Sequence, residues 1–362
     1  MEIIIHRGRH GVFCHHSGDQ VLGASLAYYG EWAEEELYLL SLLIRPADTV
    51  VDVGANIGTH TLAFSRFVGP SGHVLSVDGQ HRAFALLTLN TFLNAAGNVR
   101  CMQAILGKES GVRMVPEEDP ATPGNLGHFY FILPPMPEAV DDQAGALRLV
   151  PASIIPLDAF RLSQCDLIKI DAEAMELEVM SGAIQTIERF RPIIYFEQTC
   201  ERDFLQIFEF LQNNSYQAYW HVTSPFNRNN FRGESRNVFG GAHEVMVLAL
   251  PRERRNVLEK SGVTLDEISQ PIYNPPRRSA SEPGWALPEA AYQNLPPVDF
   301  ARAKRFCEKI RLAATNPKKS IPEGSKRRLW QRLLYWPQRG LYLASCVAED
   351  VSSDFRRNHE SK

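Results

Sequence analysis

The chain has 362 residues, 44% of them hydrophobic and 22% charged, which is ordinary for a soluble globular protein and excludes wholesale disorder. Six scattered cysteines with no C-x-x-C pair argue against a disulfide framework or a zinc site, and no apolar run reaches signal-peptide or membrane-spanning length, so a cytoplasmic protein is expected. The net charge of −4 hides an asymmetry: residues 1–250 carry 17 Lys+Arg against 29 Asp+Glu, and residues 251–362 carry 21 against 13.

In chain order, residues 31–45 read as a helix with acids in its first turns, stopped by Pro46. Thr49 to Val53 is a short β-branched run and reads as a buried strand. A helix from Thr59 to Phe67, a strand from His73 to Asp78, a helix from His81 to Ala96 and a strand from Asn98 to Ile105 follow. Residues 116–147, rich in Pro, Asp and Gly around Phe129–Leu133, read as an insertion. Beyond it come a strand over Cys165–Asp171, a helix from Met175 to Phe190 and a strand over Pro192–Glu197. A helix over 202–212 and strands over Tyr216–Val222 and Glu244–Leu250 complete the pattern. Alternation of this kind predicts an α/β fold with a Rossmann-like sheet, mostly parallel with an antiparallel last strand. Past Leu250 the texture becomes Pro-rich with basic helical patches. The expected organisation is therefore a lead segment and helix (1–48), a ligand-binding domain (49–250) and a basic C-terminal helical and loop extension (251–362). His6, His10, His15 and His16 lack a metal-binding spacing and read as a polar surface segment.

The chemistry concentrates at the turn Asp52-Val53-Gly54-Ala55-Asn56-Ile57-Gly58, between the first strand of the sheet and its helix. Glycine there lets backbone approach a ligand closely. The spacing lacks the G-x-G-x-x-G of dinucleotide sites and suits a ligand without a pyrophosphate, such as the methionine part of S-adenosylmethionine. Asp78 closes the next strand, where a carboxylate can accept both ribose hydroxyls. Asp171, Glu173 and Glu197 fall at the carboxyl ends of later strands, on the edge where open α/β sheets keep their ligand crevice.

Taken together these residues resemble the FkbM-type methyltransferases over about residues 27–250. The resemblance rests on Tyr29-Gly30-Glu31, on Val50–His60, on Leu87-x-x-Asn90-x-x-x-Asn94, on Asn98-Val99 and on Pro156-Leu157-Asp158. It continues in Leu167-Ile168-Lys169-Ile170-Asp171-x-Glu173-x-x-Glu176 with Met180-x-Gly182-Ala183, in Arg191-Pro192 with Glu197, and in Asn229–Gly233 with Asn237-x-Phe239-Gly240. It implies S-adenosylmethionine as donor and O-methylation of a hydroxyl on a sugar, glycan or other small molecule. By position Asp52, Gly54, Asn56 and Gly58 would hold the donor, Asp78 its ribose, and Glu31 would close over it. Asp171, Glu173 and His243, in that order, are the candidates for taking the acceptor's proton. No metal is expected, a divalent ion on Asp171, Glu173 and Glu197 being the weaker alternative. Two departures stand out: Val77-Asp78-Gly79 replaces the usual Phe-Glu-Pro, and Asp171-Ala172-Glu173-Ala174 replaces Asp-Val-Glu-Gly. If that glycine takes positive φ, Ala174 is strained.

Rival readings are a nucleic-acid methyltransferase using the basic tail, disfavoured because the acidic catalytic half would repel phosphates, and a methyltransferase-fold binding module without catalysis. Within the tail, residues 326–339 interleave Lys326, Arg327, Arg328 and Arg332 with Leu and Trp, a pattern that suits peripheral contact with an anionic membrane or packing on the acidic domain.

Overall fold

The computed structural model describes residues 3–117, 148–198, 201, 203–277 and 300–315. It divides the chain into two units, residues 1–298 and 299–362. The first opens with an antiparallel hairpin, β1 (Ile3–Gly8) and β2 (Gly11–His16), then helices α1 (Leu22–Tyr28) and α2 (Glu34–Leu43). The expected alternation follows as β3 (Thr49–Val53), α3 (Thr59–Phe67), β4 (His73–Asp78), α4 (His81–Leu93) and β5 (Val99–Gln103). A small three-stranded sheet comes next, from β6 (Ile105–Leu106), β7 (Gly111–Glu117) and β8 (Arg148–Ile155). Of the expected insertion, residues 118–147 lie outside the described residues, and so does the basic segment 326–339; β7 and β8, on either side of the insertion, pair antiparallel.

The chain then returns through β9 (Leu167–Ile170), α5 (Glu176–Ser181), α6 (Ile184–Phe190), β10 (Ile193–Glu197) and α7 (Phe204–Asn213). It finishes the sheet with β11 (Tyr216–Thr223), β12 (Glu244–Pro251), α8 (Asn256–Ser261) and β13 (Asp266–Glu267). The eight strands run in the order β13-β11-β12-β10-β9-β3-β4-β5. From β5 to β10 all neighbours are parallel, and β12 enters antiparallel between β10 and β11. The second unit is described only as helix α9 (Phe300–Thr315). Among the described residues no helix is long and apolar enough to cross a membrane.

One face of the sheet is apolar throughout. Val51, Val53, Leu75, Val77, Ile168, Ile170, Ile194 and Phe196 pack there with Val179, Ile187, Ile207 and Leu211 of the covering helices. The other face changes character along the strands. Val50, Val74, Leu167 and Ile193 share a core with Leu37 and Leu40 of α2 and with Ala63 and Phe64 of α3. One step toward the carboxyl ends, the register aligns Cys101, Ser76, Asp52, Lys169 and Tyr195 in a row across five strands. Successive side chains of a strand alternate faces, so polar residues at every second position build a polar layer without breaking the apolar one.

Two elements differ from the pattern the sequence suggests. The helix expected from Met175 to Phe190 breaks at Gly182, where a Cβ would lie 2.0 Å from the Gly107 carbonyl oxygen. Its second half starts afresh on Asp158, whose carboxylate accepts from the N–H groups of Gln185 (2.9 Å) and Thr186 (2.8 Å). The histidine-rich lead is not a surface segment, since β2 is buried along its length and His10, His15 and His16 with it.

β2 is hydrogen-bonded along one edge by an asparagine pair one helical turn apart, Asn90 of α4 and Asn94 at its C-cap. Asn94 accepts from the Val12 N–H (2.8 Å) and donates to the Val12 carbonyl (2.7 Å); Asn90 accepts from the Cys14 N–H (2.7 Å) and donates to the Cys14 carbonyl (3.1 Å). The two amides thus stand in for a neighbouring strand and satisfy backbone groups that would otherwise be buried unpaired. Asn94→Ala is expected to lower the unfolding free energy by about 1–3 kcal/mol, the cost of orphaned buried groups, and to speed hydrogen exchange at Val12. Denaturant titration and exchange of the Val12 amide measure both, and an unchanged exchange rate contradicts the account.

Candidate active site

The turn after β3 is held in a shape that few side chains allow. Gly54 has φ +71°, and a Cβ there would meet the Asp171 carbonyl oxygen at 1.7 Å, so the loop passes directly over the end of β9. Gly58 has φ +91° against Leu87, and Asn56 takes the left-handed region at φ +48°. The N–H groups of Gly54 and Ala55 both donate to the Val77 carbonyl. Asp52 lies beneath the loop, fully buried, accepting from the Thr61 hydroxyl at 2.6 Å.

Asp78, at the end of β4, faces this loop from the side. One carboxylate oxygen accepts from the Asn56 N–H and the other from the Gln80 N–H, both at 2.8 Å. Burial pushes its pKa up to about 7 against the pull of those two hydrogen bonds.

Across Gly54 lies a dense group of acids. Asp171 meets the ammonium of Lys169 at 2.9 Å and keeps 38% of its side chain exposed. Burial works to raise its pKa, but Lys169 and a hydrogen bond with Glu197 hold it below the usual carboxylate value. Glu173 is pushed the other way, to about 8, by burial and then by Asp171 and Glu176. Glu197 is raised well above the usual carboxylate value, first by burial and then by Asp171. The turn carrying these groups is built by Glu176, whose carboxylate accepts from the Ala172 N–H at 3.3 Å. Within it Glu173 (φ +49°) and Ala174 (φ +69°) take consecutive left-handed conformations, the strain expected of Ala174. Among the described residues no group of three His, Cys, Asp or Glu side chains has a geometry that could hold a metal ion.

Sequence reasoning passed over Lys169, although it lies within a quoted motif, because a lone lysine in a strand gives no sign of its partners. It also passed over Glu36 of α2 and Glu244 of β12, which share a hydrogen bond within this group. His243, by contrast, is exposed at the start of β12, with its Nδ1 3.3 Å from the Gly241 carbonyl oxygen.

Glu31, just before α2, is buried. Its carboxylate takes hydrogen bonds from Arg9 Nε (2.6 Å), Asn227 Nδ2 (2.9 Å) and the Phe231 N–H (2.7 Å), tying the lead segment to the loop before β12. Tyr29 fastens the same loop, donating its hydroxyl to the Arg236 carbonyl and accepting from the Val238 N–H.

A glycine turn over the end of a parallel strand, an acid closing the next strand and a carboxylate edge beside them agree with comparison against protein families, in which residues 52–218 match one domain model. That model is the methyltransferase FkbM domain, which those residues resemble. Solved structures of similar fold include the methyltransferase FkbM from Methylobacillus flagellatus, at 16% identity and TM-score 0.38, covering 60% of this chain and 48% of that one. An S-adenosylmethionine-dependent methyltransferase from Aquifex aeolicus matches at 13% and 0.34, over 63% and 93% of the two chains. Fibrillarin from Aeropyrum pernix, with natively bound S-adenosyl-L-methionine, matches at 12% and 0.33, over 68% and 82%. The chain thus spans about half the length of the first of these. Among curated proteins none matches.

A methyltransferase domain of this family takes its methyl group from S-adenosylmethionine. The residues present fit that donor. In its ionised form, which a pKa of about 7 makes available at and above neutral pH, Asp78 has about four lone-pair sites and spends one on each oxygen, which leaves one per oxygen for a vicinal ribose diol. The Gly54 turn provides a stretch of backbone without a Cβ beside Asp171.

Two outcomes follow for the methyltransferase domain. Ala174→Gly relieves a left-handed alanine and is expected to raise the unfolding free energy by about 1 kcal/mol. A loss of stability in denaturant titration would show that the alanine methyl is needed more than the strain costs. The second outcome is a dependence on pH. Asp78, Glu173 and Glu176 are raised to about 7, 8 and 7, chiefly by burial, from model-compound values of 3.8 and 4.5. Folded protein therefore keeps protons that the unfolded chain has released, so the stability they contribute is complete below the unfolded values and is lost as pH rises through about 7–8. His6 and His16, held down to about 4 first by burial, act in the opposite sense, but only below their unfolded value of 6.5. Calorimetric Tm is expected to fall from about pH 6.5 to about 8.5, and a rising Tm across that window contradicts the assignment.

Proposed function

We propose that the protein is an S-adenosylmethionine-dependent O-methyltransferase acting on a hydroxyl of a sugar, glycan or other small molecule. The observation that carries this reading is the pairing across Gly54: Asp78, with acceptor capacity to spare, on one side, and the ionised, part-exposed Asp171 on the other. Gly54, Asn56 and Gly58 line the donor's methionine end, Asp78 binds its ribose, and Glu31, by joining the lead segment to the loop before β12, closes over it. The bound donor supplies an activated methyl group with its own driving force, so the protein's task is mainly alignment.

An alcohol must lose its proton as it is methylated, and a carboxylate within reach can take it. Asp171 is charged and accessible for that role. Glu173, neutral at pH 7, is suited instead to donating a hydrogen bond to the acceptor. His243 stands on the rim as a less sheltered alternative. Calorimetry with S-adenosylmethionine tests the donor site: Asp78→Asn is expected to weaken binding by about 1–3 kcal/mol, as for lost charge-assisted hydrogen bonds. Equal affinities for wild type and variant remove Asp78 from the site. The acceptor class is tested by following donor turnover with mono- and oligosaccharides.

A further inference from the structure

Lys169 is 2% exposed, which is unusual for a lysine and requires compensation. Its ammonium lies 2.9 Å from Asp171 Oδ2 and 3.9 Å from Asp52 Oδ1. Asp52 stands opposite it on β3 and Tyr195 on β10. Acids gather around the Lys169–Asp171 pair from several elements: Glu36 from α2, Glu244 from β12 and Glu197 from β10, with Glu173 and Glu176 in the turn beyond. From α3, His60 places Nε2 3.3 Å from Glu36 Oε2, and burial keeps that ring neutral. Lys169 is thus one ammonium among many carboxyls. Asp171, the carboxylate it holds most closely, also lies against the donor loop, where its carbonyl occupies the space a Cβ of Gly54 would need.

The consequence concerns donor and product. S-adenosylmethionine and S-adenosylhomocysteine share their adenosine, amino and carboxylate groups and differ by one methyl group and its positive charge. A fixed negative charge at the methyl end distinguishes the two, and a protonated carboxyl does so far less. Asp171 has Glu197 and Glu173 as neighbours, and like charges in a buried site drive one member to take up a proton. The nearby ammonium prevents this. We propose that Lys169 is a positioning residue that keeps Asp171 a carboxylate at the donor loop, and that this charge makes the site favour the sulfonium donor over its neutral thioether product. The inference rests on the donor site proposed above.

The test needs no acceptor. Full-length protein is titrated by calorimetry with S-adenosylmethionine and, separately, with S-adenosylhomocysteine between about pH 6 and 8.5, and the ratio of the two affinities is followed. In wild type the ratio should favour the donor and stay flat below about pH 7, rising further only as Glu173 ionises toward about 8. Asp171→Asn should lower it about tenfold at every pH, the scale of one lost charge contact in a partly wet site. Lys169→Met should bind both ligands but match Asp171→Asn at low pH and recover toward wild type as pH rises, while Lys169→Arg should restore the wild-type profile. Adding Lys169→Met to Asp171→Asn should change the ratio no further. If Lys169→Met does not fold, Lys169→Met/Asp52→Asn removes one carboxylate with the lysine and carries the same comparison. A wild-type ratio in Lys169→Met at all pH values overturns the inference alone. A wild-type protein that binds neither ligand overturns the donor site and this inference with it.

Discussion

The carboxyl edge of this sheet is organised around a lysine ammonium held out of water between two aspartates. Burying a charge costs several kcal/mol even after relaxation, and the cost is recovered only where partners are close and well placed. Lys169 has Asp171 at hydrogen-bonding distance and Asp52 slightly beyond, both on the face it shares. Removing one partner from such a site leaves an uncompensated charge and typically costs about 3–5 kcal/mol. Asp52 is thereby fixed by two demands, the ammonium on one side and the Thr61 hydroxyl on the other, and Thr61 belongs to the helix that follows the glycine turn. The turn's shape and the charge of the edge are therefore set by the same few atoms.

A second set of interactions closes the site from the amino-terminal side. Asn90 and Asn94 hold β2 against α4, and Asn90 also donates to the Ile57 carbonyl inside the glycine turn at 2.8 Å. Glu31 and Tyr29 then join the lead segment to the loop before β12. Both devices use side chains where a sheet would use backbone, which lets segments distant in sequence converge without further strands.

Much of this was legible from pattern. β3, α3 and β4 have the limits that β-branched runs and glycine punctuation imply, and Gly54 and Asp78 flank the loop as the motif implies. The strain at Ala174 followed from a single substitution in a motif. What stayed hidden depends on contacts far apart in the chain. Gly182, where the helix breaks, lies against the carbonyl of residue 107, and the helix after it is capped by Asp158, neither of which leaves a local signal. The histidines of the lead look like surface residues because the strand that carries them is held by two asparagines 76 and 82 positions from the residues they bond, Cys14 and Val12. Lys169 reads as an ordinary strand lysine until the register places Asp52 beside it.

The asparagine pair also bears on where this domain can be cut. The family match begins at residue 52, yet Asn94 and Asn90 hold the backbone of Val12 and Cys14, about forty residues before that point. A recombinant fragment trimmed to the match would lose β2, expose the face of α4 that carries both amides, and remove a neighbour of the side chain that steadies Ile57. The unit that can be transplanted or expressed alone therefore starts at the hairpin, so the boundary drawn by sequence similarity and the boundary set by hydrogen bonding differ by the whole lead segment.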